Sequence, residues 1–249
     1  IQISGLTFAY EGSYDNIFEN VSLCLDTDWK LGFIGRNGKG KSTFLKLLLR
    51  EYEYEGKIRT SVPMEYFPYT DVTADEERET FQVLERIRPE HEQWKVCREL
   101  ELLEADPGIL YRPYRTLSYG ERVKVQLALL FSEEGKFLLI DEPTNHLDVE
   151  AREVLCGYLK RKKGFILVSH DRSVLDACVD HVLVLERNQI VVEHGNFSSW
   201  WENKQRRDHF ERTEQEKNKR GIRRLKEAAR QAGDWANQVE KSKIGYDKR

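Results

Sequence analysis

Phe33-Ile34-Gly35-Arg36-Asn37-Gly38-Lys39-Gly40-Lys41-Ser42 is the stretch on which the reading of this chain turns. An apolar strand end, Leu31 to Ile34, runs into a glycine-rich turn, and an apolar helix start, Thr43 to Leu49, follows it. The spacing is G-x-x-x-x-G-K-[ST]. Glycine accepts backbone conformations closed to other residues, so the loop can curl until successive N–H groups point inward at phosphate oxygens. On this reading Gly35, Arg36, Asn37, Gly38, Lys39, Gly40, Lys41, Ser42 and Thr43 form a nucleotide-binding loop. Lys41 reaches the β- and γ-phosphates of the nucleotide, and Ser42 offers its hydroxyl to Mg²⁺. The positive N-terminal end of the following helix adds to the attraction. A glycine-rich turn that only joins strand to helix is the plain alternative. The strand before the loop and the helix after it favour the phosphate loop.

The chain carries 40 Lys/Arg against 43 Asp/Glu, a formal net charge of −3. The balance is uneven. From Phe197 onward there are fifteen basic and nine acidic residues, about +6, which leaves the preceding body near −9. A basic tail on an acidic body points to a negatively charged partner, unless the charges are only a solvated helix face. Four cysteines, Cys24, Cys97, Cys156 and Cys178, lie far apart, with no C-x-x-C pair and no His cluster at metal-ligand spacing. Three sit in apolar surroundings and are expected to be buried thiols, which fits a reducing cytoplasm. Metal and thiol catalysis gain no support. No apolar run is long enough to cross a bilayer, and no signal peptide is read. The chain begins at Ile1 and its only methionine is Met64, so a processed or trimmed start is expected.

Taken in order, Ile1 to Phe8, Ile17 to Leu25, Trp29 to Ile34, Gly56 to Thr60 and Glu65 to Phe67 read as strands. Their connections are too short for crossovers, which predicts antiparallel pairing. Asp75 to Ala105 reads as helical with a break at Pro89, and Leu117 to about Ser132 as a further helix. Phe137 to Ile140 and Phe165 to Val168 are continuous apolar runs, as buried parallel strands are. A helix separates them at Val149 to Lys162. A short helix from Arg172 and a hairpin around Arg187-Asn188-Gln189 follow. The alternation predicts an α/β fold, with a sheet covered by helices. Phe197 to Arg249 has no proline, is rich in Glu, Lys, Arg and Gln, and reads as one long helix. Within it Ile222, Leu225, Ala229, Ala232, Ala236 and Val239 are spaced as a heptad seam. The seam implies either two copies pairing or a downstream partner helix, and the second is favoured.

Ligands of α/β sheets bind at the carboxyl ends of parallel strands. Three such ends are marked: Ile34 before the loop, Asp141-Glu142, and His170. Asp141 suits Mg²⁺, usually through water. Glu142 suits a base for an attacking water, and His170 a hydrogen bond to that water or to the γ-phosphate. Capping of the next helix is the plain alternative for each. Pro143 and the phosphate loop weigh against it for Asp141-Glu142. For His170 taken alone, capping is the better reading.

Together these residues resemble an ATP-binding cassette ATPase. Gly35 to Ser42 matches the Walker A loop, and Phe137 to Glu142 matches Walker B with its catalytic glutamate. Leu117, Ser118, Tyr119, Gly120 and Glu121 resemble the cassette signature. Asn145-His146-Leu147-Asp148 matches the D-loop, and His170 the switch histidine. The match covers Ile1 to about His194, with order and spacing as expected. The signature usually reads L-S-G-G, and Tyr119 stands for the first of the two glycines. Tyr69 stands where the Q-loop glutamine belongs, which puts the metal and water contacts of that loop in doubt. Tyr10 is placed as an adenine-stacking aromatic would be, with ordinary packing as the equal alternative.

Asp141-Glu142-Pro143-Thr144-Asn145-His146-Leu147-Asp148 looks like the D-E-P-T-N-H-L-D of the ABC-F branch. Gly195-Asn196-Phe197-Ser198-Ser199-Trp200 is similar to the segment that leads into that branch's interdomain linker. The resemblance implies an ABC-type P-loop ATPase core with an antiparallel β subdomain and a small helical subdomain, about 75–132. That cassette would span 1–196, followed by a long C-terminal helix, 197–249, as the first helix of the linker. It implies ATP and Mg²⁺ as cofactors, a second cassette of the same parent chain as partner, and ATP hydrolysis that needs that second cassette for full activity. It also implies a cytoplasmic protein acting on the ribosome and its RNA, in general translation or in protection against antibiotics that bind the peptidyl-transferase centre. The stretch Trp29 to Gly38 looks closer to the resistance members. No stable membrane subunit is expected. Two other readings stand beside this one. A nucleotide-binding subunit of a membrane transporter predicts a Q-loop glutamine and a docking surface for a membrane partner, and Tyr69 and the long charged tail count against it. A nucleotide-gated coiled-coil module predicts a homodimer through Ile222 to Val239.

Overall fold

The computed structural model of the chain describes residues 1–36, 38–69, 72 and 77–244, with the side chains at 236 and 238–244 outside the description. The chain divides into two units, Ile1–Trp200 and the segment from Trp201 onward.

The first unit holds two sheets. β1 (Gln2–Phe8) pairs antiparallel with β2 (Phe18–Cys24) and with β4 (Glu55–Arg59), in the order β2-β1-β4. The large sheet runs β5-β6-β7-β3-β8-β9. Its members are β3 (Lys30–Gly35), β5 (Met64–Phe67), β6 (Phe137–Asp141), β7 (Phe165–Val168), β8 (His181–Glu186) and β9 (Gln189–His194). All its pairings are parallel except the β8–β9 hairpin. Antiparallel pairing, expected for all the early strands, holds for β1, β2 and β4 and fails for β3 and β5. A short connection excludes a crossover within one sheet, but not a step from one sheet to another. β3 and β5 make that step.

The central strands are buried on both faces. Successive side chains point to opposite sides, so Leu138 and Ile140 join one apolar cluster while Phe137 and Leu139 join the other. α1 (Lys41–Leu48) packs with the antiparallel strands on the Phe137 side. α4 (Tyr119–Phe131), α5 (Val149–Lys160) and α6 (Arg172–Cys178) bury their apolar faces on the other.

The helical stretch expected from Asp75 to Ala105, broken at Pro89, is two short helices, α2 (Thr80–Ile87) and α3 (Gln93–Leu102). Its first expected residue lies outside the described residues. Pro89 disfavours helical geometry in the residue before it, and Arg88 is extended, at φ −144°. Arg88 turns inward instead. It donates to the Leu129 carbonyl at 2.7 Å and pairs with Glu65. Glu99 on α3 is fully buried, accepts from the Tyr158 hydroxyl at 2.6 Å and pairs with Lys162. Arg88 thus ties the helical region to β5, and Glu99 ties it to α5; leaving either charge without its partner costs several kcal/mol, about 3–5.

Three buried cysteines were expected, and only Cys178 is buried. Cys24 is exposed, and Cys97 and Cys156 are half-buried. The apolar neighbours of Cys24 in sequence alternate across an edge strand of the small sheet, so they do not cover it.

α7 (Phe197–Ile244) is 48 residues long. Its first turn belongs to the first unit: the Asn196 side chain accepts from Ser199 N–H at 3.1 Å, and Phe197 and Trp200 join the core. Further along, Arg206–Glu202, Arg220–Glu216 and Arg223–Glu227 pair at i,i+4 spacing. The seam residues Ile222 and Leu225 are exposed. The side chains of Ala236 and Val239 fall outside the description, as do residues 245–249.

Gly56 sits at φ +100°, and a Cβ there would lie 2.4 Å from the Gly5 carbonyl oxygen. Neither backbone can yield without breaking the β1–β4 ladder. Gly56→Ala is expected to destabilise the chain by about 3 kcal/mol, combining left-handed strain with the clash. The shift of the urea-unfolding midpoint measures it.

Candidate nucleotide site

The parallel strands β3, β6 and β7 end side by side, with Phe33 and Asp141 both in register with Val168. Beyond these ends lies a cleft of about 400 Å³, lined by Tyr10, Gly38, Gly40, Lys41, Ser42, Thr43, Asp141, Glu142 and His170 among others. The glycine-rich loop therefore meets two strand ends that lie far from it in sequence.

Gly40 caps α1 in the left-handed conformation, at φ +108°. A Cβ there would lie 2.5 Å from Ile17 Cγ2. Only glycine satisfies both conditions, so the loop lies against the residues before β2. Lys41 is buried at 8% exposure, and its Nζ donates to the Gly35 carbonyl at 3.1 Å, across the loop. Burial lowers its pKa below the ordinary 10.5, and Glu142 and Asp141 oppose that shift. Lys39 N–H donates to the Arg36 carbonyl at 3.3 Å. The Arg36 and Lys39 side chains are exposed. Asn37 lies outside the described residues.

Glu142 adopts a left-handed backbone at φ +53°, a strained state for a side chain of its size. Its N–H donates to the Val168 carbonyl at 2.9 Å. Its carboxylate meets His170 twice, Oε1 with Nε2 at 3.0 Å and Oε2 with the His170 N–H at 3.4 Å. Burial raises the Glu142 pKa, His170 counters this, and Asp141 adds to it. A carboxylate with a raised pKa, next to a lysine whose pKa is lowered, fits proton transfer near a phosphate.

Residues 18–145 match the protein family described as ABC transporter. The chain belongs to that family. It is similar to the ribosome protection protein VmlR of Bacillus subtilis, 28% identical over 237 residues, covering 93% of this chain and 40% of the relative. It is also similar to the ABC transporter F family member 3 of Arabidopsis thaliana, 29% identical over 209 residues, covering 80% of this chain and 28% of the relative. The chain thus spans two-fifths or less of the length of these curated relatives. Among solved structures, a bacterial Atm1-family ABC exporter with ATP bound has a TM-score of 0.67 at 19% identity, over 81% of this chain and 40% of that one. At that identity the likeness shows the fold alone. The resemblance to the F branch, read from Asp141 to Asp148, agrees with these relatives. The ABC ATPase domain binds ATP with Mg²⁺ as a general property.

The residues of this ABC chain fit that cofactor. Among the described residues no three His, Cys, Asp or Glu cluster to cage a metal. Mg²⁺ needs no cage; it keeps waters and takes one or two carboxylates plus substrate phosphates. The Ser42 hydroxyl and the Asp141 carboxylate face one cleft beside a buried lysine and would hold it.

The signature residues do not line this cleft. They form the start of α4. Leu117 is buried, Ser118 caps the helix, and Tyr119 is exposed, with its ring edge-on to His146 at 5.4 Å. Gly120 lies beside Leu147. Asp148 caps α5 through the Ala151 N–H at 2.8 Å. The Tyr10 hydroxyl pairs with Thr43 Oγ1 at 2.7 Å, and its ring stands edge-on to Phe8 and Tyr52. Tyr69 does not line the cleft; its hydroxyl donates to Glu65 at 2.5 Å and its N–H to Gln126 Oε1 at 3.1 Å. Sequence reasoning missed Tyr66, whose hydroxyl donates to Asp141 Oδ2 at 3.0 Å. The signal was present only as a tyrosine on a strand; its pairing with β6 carried the information.

Glu121 completes a capping box with Ser118 and accepts from Arg112 at 2.8 Å. Burial pushes its pKa up, but the Ser118 N–H and hydroxyl and the Arg112 guanidinium outweigh this and hold it below 4.5. A depressed carboxylate contributes stability that is present above its unfolded pKa and lost as the pH falls through its folded one. Glu121→Gln is therefore expected to lower stability by about 1 kcal/mol at neutral pH. The gap to the unsubstituted chain should close as the pH is taken below 4.5, in thermal unfolding across that range.

Proposed function

We propose that the chain is an ATP-hydrolysing cassette of an F-type ABC protein that acts on the ribosome. One observation carries the catalytic part: Lys41 at the start of α1, Asp141 and Glu142 at the end of β6, and His170 beyond β7 share one cleft with the glycine-rich loop. The ribosomal part is supported by the relative named as a ribosome protection protein, and by the basic character of the segment from Phe197 onward.

On this reading the N–H groups of the loop and Lys41 bind the phosphates of ATP. Bound Mg²⁺, held by Ser42 and Asp141, would neutralise phosphate charge. Glu142 takes the proton of the attacking water. Its raised pKa suits that task, since a base works best with a pKa near the working pH. His170 holds the Glu142 carboxylate in place through the two contacts described. Tyr10 stands at the mouth as a platform for the base. The signature at the start of α4 does not line this chain's own cleft and serves the nucleotide of a second cassette, which full turnover requires. Nucleotide-driven closure of the pair then shifts the population bound to the ribosome. Arg220, Arg223, Arg224, Lys226 and Arg230 on α7 meet RNA phosphates. The setting is cytoplasmic; among the described residues no helix is long and apolar enough to cross a membrane.

Lys41→Ala should weaken ATP binding about 10- to 100-fold, the worth of a charge-assisted contact, in a fluorescent-nucleotide titration. Glu142→Gln should keep ATP binding while turnover falls about 10²- to 10⁴-fold. With that variant, co-sedimentation with ribosomes should depend on ATP and weaken steeply between low and high salt. Retained ATP binding without pelleting would remove the ribosome from the reading and leave the ATPase. Unchanged turnover in Glu142→Gln would remove the proposed base.

A further inference from the structure

Tyr66 lies on β5 directly opposite Leu139 of β6. The two strands are parallel, so residues in register share a face, and Leu139 shares its face with Asp141, two residues on. A strand rises about 3.3 Å per residue, which puts Asp141 about 6.6 Å further along. A tyrosine ring laid along the strand spans that distance. The hydroxyl accordingly reaches Asp141 Oδ2 at 3.0 Å. A tyrosine phenol is protonated at neutral pH, so the O–H donates and the carboxylate accepts.

The next hydroxyl along the chain is committed elsewhere. Tyr69 occupies the position of the Q-loop glutamine, and its hydroxyl sits against Glu65 and Arg88. Among the described residues, Tyr66 supplies the side-chain hydrogen bond to Asp141. Asp141 in turn lines the cleft with Ser42 and Lys41. A carboxylate at a strand end can rotate. One that gives a single oxygen to a fixed donor offers the other in one orientation, and such outer partners tune metal affinity.

We infer that Tyr66 is a positioning residue for the divalent cation: its hydroxyl fixes the Asp141 carboxylate so that one oxygen is presented to Mg²⁺ beside Ser42. The inference rests on the ATP-site reading above. It predicts that loss of the hydroxyl alters how the site uses the cation, with nucleotide affinity in the absence of metal unchanged.

The test compares the unsubstituted chain with Tyr66→Phe, which keeps the ring and deletes only the O–H. A fluorescent ATP analogue is titrated in EDTA. The Mg²⁺ concentration at half-effect on nucleotide affinity is then measured, and the affinity for Mn²⁺ in the nucleotide complex is read by electron paramagnetic resonance. The expected result is unchanged affinity in EDTA, with both metal midpoints raised about tenfold. In an Asp141→Asn background, Tyr66→Phe should add nothing. Metal midpoints equal to those of the unsubstituted chain overturn the inference. So does a further tenfold rise in the Asp141→Asn background, which would mean that Tyr66 acts elsewhere. No nucleotide binding by the unsubstituted chain, in EDTA or Mg²⁺, overturns the ATP-site reading itself, and the inference falls with it.

Discussion

Parallel pairing between β3, β7 and β6 sets where every polar group of the cleft can stand. The strands run in one direction, so their carboxyl ends share an edge, and the register aligns Phe33, Val168 and Asp141 across it. The N–H of Glu142 extends the ladder to the Val168 carbonyl. A slip of one residue in β6 would turn Asp141 to the opposite face and place Ile140 where the carboxylate stands. Register is firmly held here because both faces are buried and the two clusters take alternate residues of each strand. The apolar runs of these strands thus do more than fill a core. They fix the separation and direction of the groups that follow them.

Charged side chains are buried at Arg88, at Glu99 and in the cleft, with different outcomes. At Glu99 the carboxylate is closed in by Tyr158, Lys162 and Arg98, and the arrangement is structural. In the cleft the charges are shared more thinly. Lys41 leans on a backbone carbonyl, and Glu142 on a histidine whose own ring is more than half exposed. Such groups keep part of their electrostatic demand, and a bound anion or cation answers it. The same physics that makes Glu99 a tie leaves Lys41 and Glu142 less fully compensated.

The loop was legible in the sequence because its information is local: glycines at fixed offsets, a lysine, a hydroxyl, and apolar runs on either side. Asp141, Glu142 and His170 were legible for the same reason, each being the polar end of an apolar strand. What was not legible depends on partners distant in sequence. The bond from Tyr66 to Asp141 spans 75 residues and follows from strand register. The pairing of β3 and β5 was misread because loop length does not say which sheet the next strand joins. The burial of Arg88 depends on Glu65 and on the Leu129 carbonyl, neither of which its own neighbours announce. Three buried thiols were expected and one is found, because apolar neighbours in sequence are not neighbours in space.

Phe210, Ile222, Leu225 and Trp235 are all more than half exposed along α7. A helix held by propensity and i,i+4 ion pairs draws little on packing, and most helical stability in proteins comes from packing. Its apolar surface is therefore still hydrated. Association through that surface would carry a negative heat-capacity change, while the ion pairs beside it lose strength as salt is added. The two contributions depend on different variables, temperature for one and ionic strength for the other. A titration calorimeter can therefore tell whether a partner grips this helix by its apolar stripe or by its charges.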